Sequence, residues 1–179
     1  MAQFKAFTPD VEINGAAVLS VIKAMGTFRQ TASNILGEHG IVAPEEGAWY
    51  SQQAWLDTFK EIAETMGDIT LRIIGGKIPG VALWPPDVDT VGKALASIDV
   101  AYHMNHRGGK IGHYAYEDLG ERSAKMVCEN PYPCDFDMGI IEATASRFAA
   151  EGVIPIVKHD RSQCCRKEGG DACTYLVTW

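Results

Sequence analysis

Four of the five cysteines fall in two stretches near the C-terminus, "ENPYPCDFDMG" (129–139) and "HDRSQCCRKEGGDACTYLVTW" (159–179). Cys134 follows the rigid "NPYP" loop at the expected start of a helix, where backbone N–H groups and the helix dipole favour a thiolate. Cys165 and Cys173 flank the "KEGGD" turn, eight positions apart, and pairing of the flanking strands as a β-hairpin would bring them together. Three thiols converging in this way suit zinc, a borderline-soft ion that binds thiolates tetrahedrally. His159, Asp160 and Cys164 are the nearby groups able to complete such a set. His159 shares strand parity with Cys165, whereas Cys164 points to the other face and Ser162 is a poor ligand. Two other readings stay open. Free cysteine often packs as a small hydrophobe, which is the reading for Cys128. Alternatively, Cys134 could act as a nucleophile near His159 and Asp160. An odd cysteine count rules out complete disulfide pairing within the chain.

A second group is "AYHMNHRGGKIGHY", where His103, His106 and His113 occur within eleven residues. His103 and His106 share a helical face if the helix reaches them, and His113 returns on the next strand. Together they could hold a polar ligand or a second metal, or simply form a polar helix end. The spacing is not the HExxH of a metalloprotease. Trp84 and Tyr102 add aromatic surface, so Trp84, Tyr102, His103, His106 and His113 are the expected lining of a ligand pocket.

Several elements must position these groups. Asn14 and Gly15 open a helical pattern that runs through Val18, Ile22, Phe28 and Leu36. Ser51 caps a second helix that ends near Gly67, and Asp68 opens a third. "GGKIPG" and "LWPPDVD" interrupt, and a further helix runs from about Val91 to His103, capped by Asp87 or Asp89. After the "NHRGGK" turn the period falls towards two. "IGHYAYED" and "SAKMVCE" read as strands, Asp135 to Ala150 as an amphipathic helix, and the last stretch as a hairpin. Helices first, then an antiparallel sheet with one inserted helix, give a single α+β domain over 1–179.

Composition narrows the function. The net charge of −7 and the lack of a basic stripe argue against nucleic acid as a partner. No apolar run is long enough for a membrane span and the start lacks a secretory signal, so the expected location is cytoplasmic. In a reducing compartment, clustered cysteines point to metal or reactivity.

The pattern "PYPCDFDMG…C…GGDACTYLV" resembles the 4-vinyl-reductase domain family, whose superfamily includes haem nitric-oxide-binding domains and a vesicle-transport subunit family. The family's cysteines, Gly-Asp turn and last-strand aromatic fall on Cys134, Cys165, Gly170 with Asp171, Cys173 and Tyr175. Related phenol-sensing domains bind a structural zinc through three such cysteines and a glutamate three residues before the second. Here that position is Ser162, so the resemblance leaves the fourth ligand unassigned. It implies a metal set of Cys134, Cys165 and Cys173, and strand parity makes His159 the expected fourth ligand. It also implies a sensor or carrier of a small hydrophobic or aromatic molecule, able to form a homodimer. Haem is not expected, because the Tyr-x-Ser-x-Arg stretch of the haem sensors is missing. "GGDACTY" is also similar to the ending of a family of amino-thiazoline carboxylate hydrolases. The alternative is therefore a cysteine- or metal-dependent enzyme, hydrolase or reductase-like, acting on a small heterocyclic or aromatic molecule. No nucleotide-binding glycine motif supports a reductase acting alone.

Overall fold

The computed structural model describes residues 3–82 and 84–179; Leu83, inside the "LWPPDVD" connector, and the first two residues of the chain lie outside the described residues. The elements are β1 (Glu12–Asn14), α1 (Gly15–Ala24), α2 (Arg29–Glu38), β2 (Trp49–Ser51), α3 (Gln52–Met66), α4 (Asp68–Gly75), α5 (Ile78–Val81), α6 (Val91–Met104), β3 (His106–Arg107), β4 (His113–Gly120), β5 (Ser123–Glu129), α7 (Cys134–Phe148), β6 (Ile156–His159) and β7 (Cys173–Thr178). The architecture is α+β, with two antiparallel sheets ordered β2-β1-β3 and β4-β5-β7-β6. None of its described helices is long and apolar enough to cross a membrane.

Local chemistry accounts for the helix starts. The Asn14 side chain accepts from the Ala16 N–H at 2.8 Å, Ser51 Oγ from Ala54 at 3.4 Å, and Thr90 Oγ1 from Lys93 at 3.3 Å. Thr90 therefore takes the capping role expected of Asp87 or Asp89. Asp89 instead pairs with Lys93. The apolar pattern read as one helix from Asn14 to Leu36 is broken at Gly26, whose φ of +54° ends α1 and starts a 3₁₀ turn. Val18, Ile22 and Leu36 are still buried, whereas Phe28, in the 3₁₀ turn, is exposed.

The three-stranded sheet has strands of only two or three residues, too short to produce a period of two in the sequence. Part of the "NHRGGK" turn belongs to it as β3. The second departure concerns the C-terminal hairpin. β6 ends at His159, paired with Tyr175, and residues 160–172 form a loop with a 3₁₀ turn, Arg166–Glu168. Cys165 lies in that loop and not on the ladder opposite Cys173.

The main core joins α3, α4, α6, α7 and the larger sheet through Trp55, Phe59, Leu71, Leu95, Ile141 and Tyr175. α4 and α7 cross on glycines. A Cβ at Gly75 would stand 2.2 Å from the Phe136 carbonyl oxygen, and one at Gly139 would stand 2.1 Å from that of Arg72. Backbone cannot yield at those distances, so the crossing requires both glycines. An Arg72–Glu142 ion pair spans the same interface. Gly139→Ala should cost about 1–3 kcal/mol by overpacking. Chemical denaturation would read that loss, whereas Gly152→Ala, with open space at its Cβ, would show only the smaller penalty of its positive φ.

Candidate functional site: a cysteine cluster beside an apolar cavity

α7 carries both features of interest. At its first residue, Cys134 meets Cys173 of β7 with sulfurs 3.0 Å apart. Cys165 arrives from the loop and His159 from the end of β6. One ligand atom from each of Cys134, His159, Cys165 and Cys173 lies within 4.8 Å of the others. Of the three groups considered for a fourth ligand, only His159 joins them. Cys164 is exposed and donates to the Glu168 carbonyl at 3.3 Å, and Asp160 accepts from the Ser162 N–H at 2.9 Å. Cys128 is buried in β5 in register with Cys173, and burial pushes its thiol up.

The surroundings fit a cation. His159 Nε2 is buried and has no hydrogen-bond partner among the described residues, while its ring stacks on Tyr175 at 4.9 Å. Gln3 Nε2 donates to Cys134 Sγ at 2.7 Å and Arg166 Nε to Cys173 Sγ at 3.3 Å. Tyr175 Oη donates to the Cys134 carbonyl at 2.7 Å. These are the outer contacts that orient thiolate ligands. Three sulfurs and one imidazole nitrogen form the donor set of a closed, structural zinc site.

The thiolate sits where the sequence did not place it. Cys173 is held well below the ordinary thiol range by the hydrogen bond from Cys134 and by the Arg166 guanidinium, which together outweigh burial. Cys134 moves the opposite way, raised by its role as donor to Cys173 and by burial. Cys173, which faces the Arg166 guanidinium, is the sulfur placed to carry negative charge, whereas Cys134 at the helix start is not next to that cation's donor nitrogen.

Arg166 is the cation behind the cluster. Its guanidinium is fully enclosed and pairs with the equally enclosed Asp137 carboxylate. It also donates to the backbone and side-chain oxygens of Asn130. Tyr114 Oη donates to Asp137 at 2.5 Å. Burial raises Asp137 to about 6, against the lowering effects of Arg166 and Tyr114.

On the other side of α7 lies a cavity of about 130 Å³ whose lining is almost entirely apolar, with Ile13, Trp55, Ile98 and Ile140 among it. Three of the five residues expected to form a pocket, Trp84, Tyr102 and His106, line it. His103 and His113 do not; they occupy an exposed cleft on the outer side of α6. Tyr132, Phe136 and Thr144 also line the cavity, and the sequence reading had not marked them. Two aromatics four positions apart across the helix start in "NPYPCDF" were the available signal for the first two.

Polar groups in this cavity are few and placed. His106 Nδ1 lies 2.8 Å from the Tyr102 carbonyl oxygen, so that nitrogen carries the proton, and Nε2 accepts from Tyr132 Oη at 2.7 Å. Burial lowers His106 to about 4. The Thr144 hydroxyl is buried without a partner.

No family model matches the chain, and no curated protein matches it. Solved structures do. An H-NOX protein from S. oneidensis in its Fe(II) ligation state aligns with a TM-score of 0.70 at 15% identity, covering 93% of this chain and 95% of that one. A mutant H-NOX from T. tengcongensis gives 0.69 at 15%, covering 93% and 97%. An oxygen-binding H-NOX domain related to soluble guanylate cyclases gives 0.64 at 17%, covering 93% and 94%. At such identities the likeness establishes a shared fold.

That fold corrects one expectation. Haem was set aside because Tyr-x-Ser-x-Arg is missing, yet similar structures include one solved to study haem redox potential and porphyrin distortion, and another to study haem distortion in the H-NOX family. The architecture is one that houses haem, so a missing motif does not decide the matter. The residues present match a porphyrin in one respect, a histidine with its tautomer fixed by a carbonyl. They do not match it in size, since 130 Å³ is below the usual 300–1,000 Å³ of ligand pockets. Among the described residues, no lysine or arginine lines the cavity to meet propionates.

Two outcomes follow. Arg166→Met should destabilise by about 3–5 kcal/mol, because Asp137 is left buried and uncompensated; adding Asp137→Asn should recover part of that loss in urea denaturation. His106 has a depressed folded pKa, so its contribution is present above about 6.5 and is lost as pH falls towards 4. Asp137, raised in the fold, titrates in the opposite sense over part of this range. The stability difference between the protein and His106→Asn isolates the histidine. It should shrink by on the order of 3 kcal/mol from neutral pH to about 4; a flat difference would mean that His106 is not buried as a neutral ring.

Proposed function

We propose that this chain is a small-molecule-binding sensor or carrier domain. A zinc ion held by Cys134, His159, Cys165 and Cys173 would fix the start of α7 to the C-terminal strands, and the ligand would occupy the cavity on the other side of α7. The observation that carries the reading is the cavity itself. It is apolar, lined by aromatic rings, and furnished with a His106–Tyr132 dyad and the Thr144 hydroxyl, which is the composition of a ligand site. The H-NOX structures of the same fold include an oxygen-binding domain, and that precedent supports a sensing role.

The volume specifies the guest. An engineered apolar cavity of about 150 Å³ takes up benzene, so about 130 Å³ suits a single aromatic ring. Tyr132 spends its proton on His106, which leaves its oxygen as an acceptor for a ligand hydroxyl, and Thr144 offers a second polar contact. A phenol-like molecule satisfies both demands. Zinc would supply cross-linking only, because four protein ligands leave no open position.

Calorimetric titration of the purified protein with phenol tests the ligand. Binding is expected, and it should weaken about tenfold in Tyr132→Phe, the loss of one buried hydrogen bond. Indifference to phenol would remove the aromatic-ligand reading. Haem titration is the companion experiment: a Soret band lost in His106→Ala would transfer the cavity to haem. Elemental analysis of protein prepared without chelator or metal-affinity tag should give zinc near one per chain, lost in the double variant Cys165→Ser Cys173→Ser. A folded, metal-free protein would overturn the zinc assignment.

A further inference from the structure

At the exposed cleft on the outer side of α6, His103 and His113 meet Asp99, and none of the three lines the ligand cavity. Asp99 and His103 stand one helical turn apart on α6, and His113 opens β4. One ligand atom from each lies within 4.8 Å of the others. The third member is held by more than its own strand. The Tyr114 N–H donates to Asp99 Oδ1 at 2.7 Å, tying the start of β4 to this turn of α6.

The histidines are disposed to coordinate. His103 Nδ1 donates to the Asp99 carbonyl oxygen at 2.9 Å, which leaves Nε2 as its coordinating nitrogen; Nδ1 also lies 3.5 Å from Asp99 Oδ1, and His113 Nδ1 lies 4.0 Å from the same oxygen. A backbone carbonyl fixing the tautomer is the usual outer contact of a metal-bound imidazole. The rings of His103 and His113 are 5.4 Å apart and tilted by 32°. Side-chain exposures of 34%, 42% and 62% for Asp99, His103 and His113 leave the group open to solvent. The two basic residues in the cleft are engaged elsewhere. Arg107 pairs with Glu12 at 2.7 Å and Lys110 with Glu129 at 3.2 Å.

We propose that Asp99, His103 and His113 form a second metal site, for a divalent first-row transition ion in the cobalt-to-zinc range. Two imidazoles and one carboxylate are the donors such ions take, whereas magnesium and calcium require oxygen ligands. Three protein ligands leave positions open to water or to a further ligand, unlike the closed cysteine set. The ion would bridge α6 and β4, whose inner residues Ile98, Tyr102 and Tyr114 line the ligand cavity. The site shares no residue with the cysteine cluster and does not depend on it.

Cobalt(II) titration of the reduced full-length protein, stripped of metal beforehand, tests this directly. Cobalt on thiolates gives intense near-ultraviolet charge transfer, and cobalt on nitrogen and oxygen gives only weak visible bands. The expected result is two equivalents, one of each kind. His103→Ala and His113→Ala, both at exposed positions, should each weaken the second equivalent by more than the roughly 10–100-fold that loss of an outer-shell partner costs, with the charge-transfer equivalent intact. Cys165→Ser Cys173→Ser should do the reverse. Weak-band binding without charge transfer would uphold this site while refuting the cysteine one. A single charge-transfer equivalent, or a second equivalent unchanged in both histidine variants, would overturn the proposal.

Discussion

Two sulfurs 3.0 Å apart, with a third thiol and an unpartnered imidazole nitrogen alongside, set the central constraint on this protein. Four electron-rich groups facing one another must share protons, gain a cation or oxidise. Cys134 and Cys173 share a hydrogen bond, and the enclosed guanidinium of Arg166, which donates to Cys173, supplies balancing charge. That guanidinium needs its own partners, which is why Asp137, Asn130 and Tyr114 are polar in a region otherwise filled with apolar side chains. The buried network is thus a consequence of the cysteine cluster as much as an independent feature.

α7 transmits this constraint to the rest of the fold. Its first residue is in the cluster, Asp137 one turn on is in the ion pair, and Phe136, Ile140 and Thr144 face the cavity. Gly139 on the same helix allows the close crossing with α4. The cysteine cluster and one wall of the cavity are thus carried on the same helix. Tyr132, in the loop just before α7, lies at the polar end of the cavity.

Long periodic segments were legible from residue order alone. The helices that became α3, α6 and α7 and the strands that became β4 and β5 show clear periods, and Ser51 announced its cap. The Cys134, His159, Cys165, Cys173 grouping was also legible, although for a partly mistaken reason. Strand parity linked His159 to Cys165, whereas the chain leaves the ladder after His159 and a 3₁₀ loop delivers Cys165. A two-residue strand such as β3 leaves no periodic trace. That His106 enters the cavity while His103 and His113 stay outside it was equally hidden. A spacing of three from His103 to His106 implies one face only while the helix continues, and α6 ends at Met104, turning His106 inward. The ion pair between Arg166 and Asp137 could not be read at all, since nothing local distinguishes a buried arginine from the exposed ones around it.

X-ray absorption at the zinc edge, on protein purified without chelator, tests the central claim most directly. A first shell of three sulfurs and one nitrogen, with zinc near one per chain, is the predicted result. A shell of nitrogen and oxygen only, or no zinc in a folded protein, would contradict it and leave the cluster as a proton-sharing thiol pair held by Arg166.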